Sequence, residues 1–242
     1  MSAGADPGFS IEPLGETILL MRFGTQVDAA VNAHVHAAAA MLRKVEMPGL
    51  LDLIPAGASL ALHYDAVFWA GSNGEPPWQH LAGSLRAVFA SPPAQTTDKG
   101  RVIEVPVCYG GEYGCDLDTV ASHAGIDAAC VIEQHCAGHY RVAMLGFAPG
   151  FPYLLGLAPL LHMPRRAQPR LRVPAGSVAI GGAQTGIYPR ELPGGWHLIG
   201  RTPATLFDAE ARPPSLLAPG DRVRFRAIDA IEFAAIVEPN TR

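Results

Sequence analysis

The hydrophobic pattern changes character part-way along the chain. Ile18–Phe23 is an apolar-rich run that reads as a strand. Asp28 then stands before Val31, Val35, Ala38, Leu42 and Val45, a helical spacing with an N-cap. Pro48-Gly49 stops that helix. Leu50–Ile54 and Leu60–His63 are two more strands, split by Pro55-Ala56-Gly57. Pro76-Pro77 opens a second helix, with Trp78, Leu81, Leu85 and Val88 on one face. After a loop at 91–100, Val102–Val107 is again a strand. The order β-α-β-β-α-β suits a small two-layer domain of the split βαβ type.

Beyond this the elements shorten. Asp116–Ala124 and Asp127–Ala137 predict two helices around Gly125. Arg141–Leu145 begins a series of short strands, and Ala218–Asp221 is a turn into Val223–Ile228, whose alternation puts Val223, Phe225 and Ala227 on one face. The segment 145–208 holds 10 Gly and 9 Pro in 64 residues. Apolar residues recur between them (Val173, Val178, Ile180, Ile187, Leu198, Ile199, Leu206), which marks tight turns joining strands rather than a linker. Such a run closes into a barrel or sandwich. The chain therefore reads as α+β: a small two-layer α/β N-terminal domain over 10–98 and a β-rich C-terminal domain over 99–242, with the boundary inside 91–108 and a frayed start at 1–9.

Composition narrows the class. An apolar content of 49% with 17% charged residues describes a globular protein. No run of 18 apolar residues exists and no signal peptide is visible, so no membrane is expected and the cytoplasm is. A net charge of −4 argues against nucleic acid as a partner. Segment 145–208 is the exception: six Arg against two acids leave it at +4, which suits an anionic ligand or acidic surface.

The candidate chemistry is sparse. Cys108, Cys115, Cys130 and Cys136 are spaced C-x6-C and C-x5-C, not as a zinc knuckle, and no metal site is assigned. Gly181-Gly182-Ala183-Gln184-Thr185-Gly186 lacks the Lys and the following helix of a nucleotide loop. His135 is the candidate proton carrier, a catalytic role, since imidazole titrates near neutral pH. Arg170, Gln184, Thr185, Tyr188, Trp196, Arg201 and Thr202 offer the guanidinium, amide, hydroxyl and aromatic groups of a small polar ligand site. Phe147, Pro149 and Phe151 form a turn-rich aromatic loop suited to a partner contact, although Phe147, Phe151 and Phe207 also suit a core. No self-sufficient catalytic set emerges, which points to a site completed by a partner.

GFAPGFPYLLGL, the run RVPAGSVAIGGAQTGIYP and PGGWHLIGRTP with the following LFD resemble the family of 5-oxoprolinase B-type subunits, also called allophanate hydrolase subunit 1 or the sporulation-kinase inhibitor family. The same module is similar to one half of the carboxyltransferase domain of urea carboxylase. The likeness extends upstream through Leu19–Gly24, Pro55–Asp65, Pro106–Gly111 with Asp116-Leu117, Val131–His135 and Tyr140–Val142. Ala56–Ser59 and the stretch Phe68–Pro77 depart from the family pattern. The resemblance implies a cyclophilin-like β-barrel in the C-terminal domain, and pairing with an A-type partner and a homologous C-type one. It implies that the complex opens 5-oxoproline to glutamate with ATP, with or without Mg, at a site not assignable to this chain. Phosphorylation of the lactam oxygen would supply a leaving group, leaving positioning and charge stabilisation as the catalytic task. Two other readings come with the family: a regulator that docks on a histidine kinase through a cleft ringed by Phe151, Tyr188 and Trp196, and a subunit that acts on urea or allophanate-type substrates.

Overall fold

The computed structural model describes residues 8–71, 74–90 and 100–237. They fall in two compact units, Met1–Asp98 and Lys99–Arg242. The loop read at 91–100 and the frayed start at 1–9 lie almost wholly outside the described residues.

The first unit is built from β1 (Ser10–Pro13), β2 (Ile18–Arg22), α1 (Ala29–Val45), β3 (Leu50–Pro55), β4 (Ser59–Tyr64) and α2 (Pro77–Val88). Asp28 caps α1, its carboxylate accepting from the N–H groups of Ala30 and Val31, both at 2.8 Å. The sheet order is β1-β2-β4-β3 and every pairing is antiparallel. This corrects the split βαβ expectation, which needs a parallel pair. The strand at Val102 belongs to the other unit, and β1 takes its place at the sheet edge. β1 is short, polar and ends in Pro13, as edge strands do, so its pattern carries little signal. The core lies between one sheet face (Leu19, Met21, Leu60, Leu62, Tyr64) and the apolar stripes of α1 (Val35, Ala38, Leu42) and α2 (Leu81, Leu85).

The second unit is a closed barrel of seven strands. They are β5 (Val102–Tyr109), β6 (Tyr140–Leu145), β7 (Pro152–Leu155), β9 (Ser177–Gly181), β10 (Gln184–Ile187), β12 (His197–Arg201) and β13 (Arg222–Ile228). The order around the barrel is β10-β7-β6-β13-β5-β12-β9, and the β5–β13 pair is parallel. Two helices, α3 (Leu117–Ala124) and α4 (Ala128–Ala137), add Leu117, Val120 and Val131 to the barrel core of Val105, Val142, Leu154, Ile180 and Phe225. A two-stranded sheet of β8 (Arg170–Val173) and β11 (Leu192–Gly194) contributes Val173 and Leu192 to a second cluster. The last helix, α5 (Ala230–Val237), has no buried residue.

On β13 Val223 and Phe225 are buried as the alternation predicts, but Ala227 is exposed and Ile228 is buried instead. The alternation lapses in the last residues of the strand, just before α5 begins. Among the described residues no helix is long and apolar enough to cross a membrane.

Candidate functional site

Residues on β10 separate the candidate groups into two environments, because successive side chains point to opposite faces of a strand. Thr185 faces inward and is fully buried, whereas Gln184 is half-buried. Inside, Thr185 meets His135 of α4, its Oγ1 3.1 Å from Nε2. The hydroxyl itself donates to the Ala179 carbonyl at 3.0 Å. Oγ1 must therefore accept from His135 Nε2–H, and this network assigns the tautomer. Nδ1 is then bare and accepts from the Tyr109 hydroxyl at 2.8 Å. The Cys136 thiol donates to Tyr109 at 3.6 Å. The result is a directed chain from Cys136 through Tyr109, His135 and Thr185 to a backbone carbonyl.

Burial controls the charge of that chain. His135 has no exposed surface and stacks on Phe225 with ring centroids 4.4 Å apart. Desolvation pushes its pKa from 6.5 to about 3. Burial, reinforced by Cys136, raises Tyr109 well above the usual phenol range. At neutral pH His135 and Tyr109 are uncharged, and both ring nitrogens of His135 are engaged. Tyr140 holds the backbone of His135 by donating to its carbonyl at 2.9 Å.

The aromatic candidates form a second assembly. Phe151 is buried and meets Tyr188 (5.1 Å, 89°), Trp196 (5.8 Å, 83°) and Phe147 (5.5 Å, 83°) edge to face. The indole of Trp196 lies against Gly181 of β9 and Gly186 of β10; a Cβ on Gly181 would stand 2.6 Å from it. Those two glycines of the GGAQTG run are thus room for Trp196. With no Lys in the turn and a strand after it, the residues do not fit the phosphates of a nucleotide. Phe151, Tyr188 and Trp196 are packed together rather than ringing an open cleft, because their edges fill one another.

Phe147 is the opposite case. It is 59% exposed and holds φ at 69°, a left-handed conformation that a bulky residue adopts only where its surroundings enforce it. Here a tight turn does so: Ala148 N–H bonds Gly146 O at 2.8 Å and Phe151 N–H bonds Ala148 O at 3.0 Å. Pro149 is exposed in the same turn. Arg165 lies over Trp196, 5.8 Å from the ring centroid.

Arg170 is not a free anion receptor. Its guanidinium grips the buried Asp116 with two nitrogens, at 2.7 and 2.8 Å, and Arg166 adds a third contact at 3.2 Å. The same carboxylate accepts from Leu198 N–H at 2.7 Å. Desolvation raises the Asp116 pKa, but the bonds from Arg170 and Leu198 and the two arginine charges outweigh it, so the net shift is downward. Asp116 N–H also bonds Leu198 O at 2.9 Å, so this residue continues the β12 ladder where β5 ends. Sequence reasoning reads Asp116 as a helix start and as part of the family likeness, without assigning it a site role, and its side chain makes no capping bond. Its partners are 50 or more residues away, beyond any local signal.

Arg201 and Thr202 stand at the end of β12. Thr202 is buried and accepts from Ala204 N–H at 3.1 Å, a turn-stabilising bond. Arg201 is half-buried, and its stem passes over Gly176. The buried Nε of Arg201 and Nε2 of Gln184 have no hydrogen-bond partner among the described residues. The structure thus groups Phe147, Phe151, Tyr188 and Trp196, pairs His135 with Thr185 in the interior, and ties Arg170 to Asp116.

A family model for the carboxyltransferase domain, subdomain C and D, matches residues 9–217. The B-type subunit of 5-oxoprolinase from Bacillus subtilis (strain 168) is 40% identical over 241 residues, covering 95% of this chain and 97% of the relative. A solved chain, TTHA0988, superimposes with a TM-score of 0.73 at 40% identity over 88% of this chain; the chain spans 40% of its length. The urea amidolyase of Kluyveromyces lactis shares the fold, with a TM-score of 0.76 at 20% identity over 98% of this chain and 16% of that one. The chain belongs to the carboxyltransferase-domain family, subdomain C and D.

Proposed function

We propose that this family member is the B-type subunit of a cytoplasmic 5-oxoprolinase, a hydrolase that opens 5-oxoproline to glutamate with ATP in company with an A-type partner and a homologous C-type one. One observation carries the reading: identity of 40% that runs over 95% of this chain and 97% of a relative of that name. The geometry is in keeping with a shared site. The buried His135 has both nitrogens bonded within the protein, so we assign it a positioning role, tying α4 to β5 and β10, in place of the proton-carrying role expected of it. The groups left for a ligand or partner are Phe147 and Pro149 at the exposed turn, and Gln184 and Arg201 with their unsatisfied N–H groups. Phe151, Tyr188 and Trp196 hold the Phe147 turn from beneath.

The test is reconstitution. The chain is co-purified with the candidate A-type and C-type partners, and glutamate release from 5-oxoproline is followed with and without ATP. Release that requires ATP and all three chains is the expected result. A stable complex without turnover, or full turnover by this chain alone, would overturn the assignment. Within an active complex, Phe147→Ala and Arg201→Ala should each lower turnover about tenfold or more while leaving the melting temperature of the isolated chain unchanged. Normal turnover in a variant removes that residue from the contact set.

A further inference from the structure

The outer face of the β6–β13 ladder concentrates positive charge. Arg141 and Arg222 are direct partners across the two strands, and Arg224 follows on the same face. With His139 they line a pocket of about 280 Å³. Like charges placed directly opposite one another on a sheet are destabilising. The acids nearby do not relieve this. Asp221 holds Arg101 at 2.5 Å, and Glu104 and Glu232 each hold Arg226 at 2.8 Å. Among the described residues no carboxylate forms an ion pair with Arg141, Arg222 or Arg224; Glu104 stands across the β5–β13 ladder from Arg224, but its carboxylate is turned to Arg226. The Nε–H of Arg141 is buried and has no acceptor there either. A buried charged donor without a partner is costly, so its persistence points to an acceptor from outside.

We propose that this pocket binds a phosphate-class oxyanion, either free phosphate or the phosphoryl group of a larger molecule. Guanidinium forks match the geometry of phosphate oxygens, and two of them facing each other present donors from both sides. An anion between Arg141 and Arg222 would satisfy the Nε–H and cancel the cross-strand repulsion together. The site is independent of the 5-oxoprolinase reading above and tests on this chain alone.

The experiment is calorimetric titration of the full chain with inorganic phosphate and with ATP, at constant ionic strength. Saturable binding is expected, with Kd raised about tenfold by Arg141→Ala or Arg222→Ala. Arg172→Ala, at an 82% exposed side chain elsewhere in the unit, should leave Kd unchanged. Tighter binding of ATP than of phosphate identifies a phosphoryl group of a nucleotide as the occupant, and equal binding identifies phosphate. No saturable binding of either, or a Kd that both Arg variants leave intact, overturns the site. Should Arg141→Ala fail to fold, Arg222→Glu carries the test. It places an acid opposite Arg141, so it should abolish phosphate binding and raise the melting temperature in anion-free buffer. A lower melting temperature would overturn the claim that this wall lacks a counter-charge.

Discussion

Inside the barrel His135 is bonded through both nitrogens and carries no charge; beside β12 Asp116 is bonded through both oxygens and keeps its charge. Each links elements distant in sequence: α4 to β5 and β10 in the first case, the start of α3 to β8 and β12 in the second. The difference lies in the partners. Hydroxyls and a carbonyl cannot compensate a charge taken out of water, so desolvation decides the state of the ring. Two guanidinium groups can, so the carboxylate stays ionised despite its burial. A buried polar group takes the protonation state its partners can satisfy, whatever its ordinary pKa.

Removing Asp116 should break the comparison most severely. Asp116→Ala leaves two arginines uncompensated beside a half-buried ladder, and should cost about 3–5 kcal/mol in urea unfolding. A loss under 1 kcal/mol would mean that solvent already screens the pair. The two nodes also separate along the pH axis. The folded-state pKa of His135 is depressed, so the unfolded chain binds the extra proton and stability falls as pH drops below 6.5 toward about 3. Between pH 6.5 and 5 that amounts to about 2 kcal/mol. Desolvation also lowers His197, which acts in the same direction. Subtracting the profile of His135→Phe isolates the barrel node, and an unchanged slope in that variant would show that His135 is not its source. Asp116, with a depressed carboxylate pKa, withdraws its contribution only below its ordinary 3.8, as pH falls through the folded value.

Gly181→Ala probes a purely steric constraint beside these electrostatic ones. Its Cβ would stand 2.6 Å from Trp196, so a loss of about 1–3 kcal/mol is expected, with altered tryptophan fluorescence. Intact fluorescence and stability would mean that the indole can shift at no cost. Cys136→Ala should have the smallest effect, about 0.5 kcal/mol, because a thiol at 3.6 Å is a weak donor at the outer end of the chain. A loss above 2 kcal/mol would make the thiol an integral part of the node.

Legibility in the sequence followed the range of the interactions. Helix α1 was readable because Asp28, the apolar stripe and Pro48-Gly49 all act within a turn or two of chain. The turns of 145–208 were readable because Gly and Pro restrict the backbone locally. β1 was not, since four mostly exposed residues at a sheet edge carry no alternation, and α5 was not, since its apolar residues cover no core. The candidate site was legible as a set of side-chain types and illegible as a geometry. Phe147 and Phe151 lie four residues apart in one motif, yet one is exposed and the other buried.

Local chemistry in the sequence by itself determined helices α1 to α4, most strands, the turn-rich character of the second unit and the family motifs. Tertiary structure alone decided which strands close the barrel, that Gly181 and Gly186 make room for Trp196, that Arg170 is committed to Asp116, and that His135 is neutral. The reason is physical. Backbone propensity and amphipathic spacing act between near neighbours, whereas desolvation, close packing and ion pairing depend on groups that only the fold brings together.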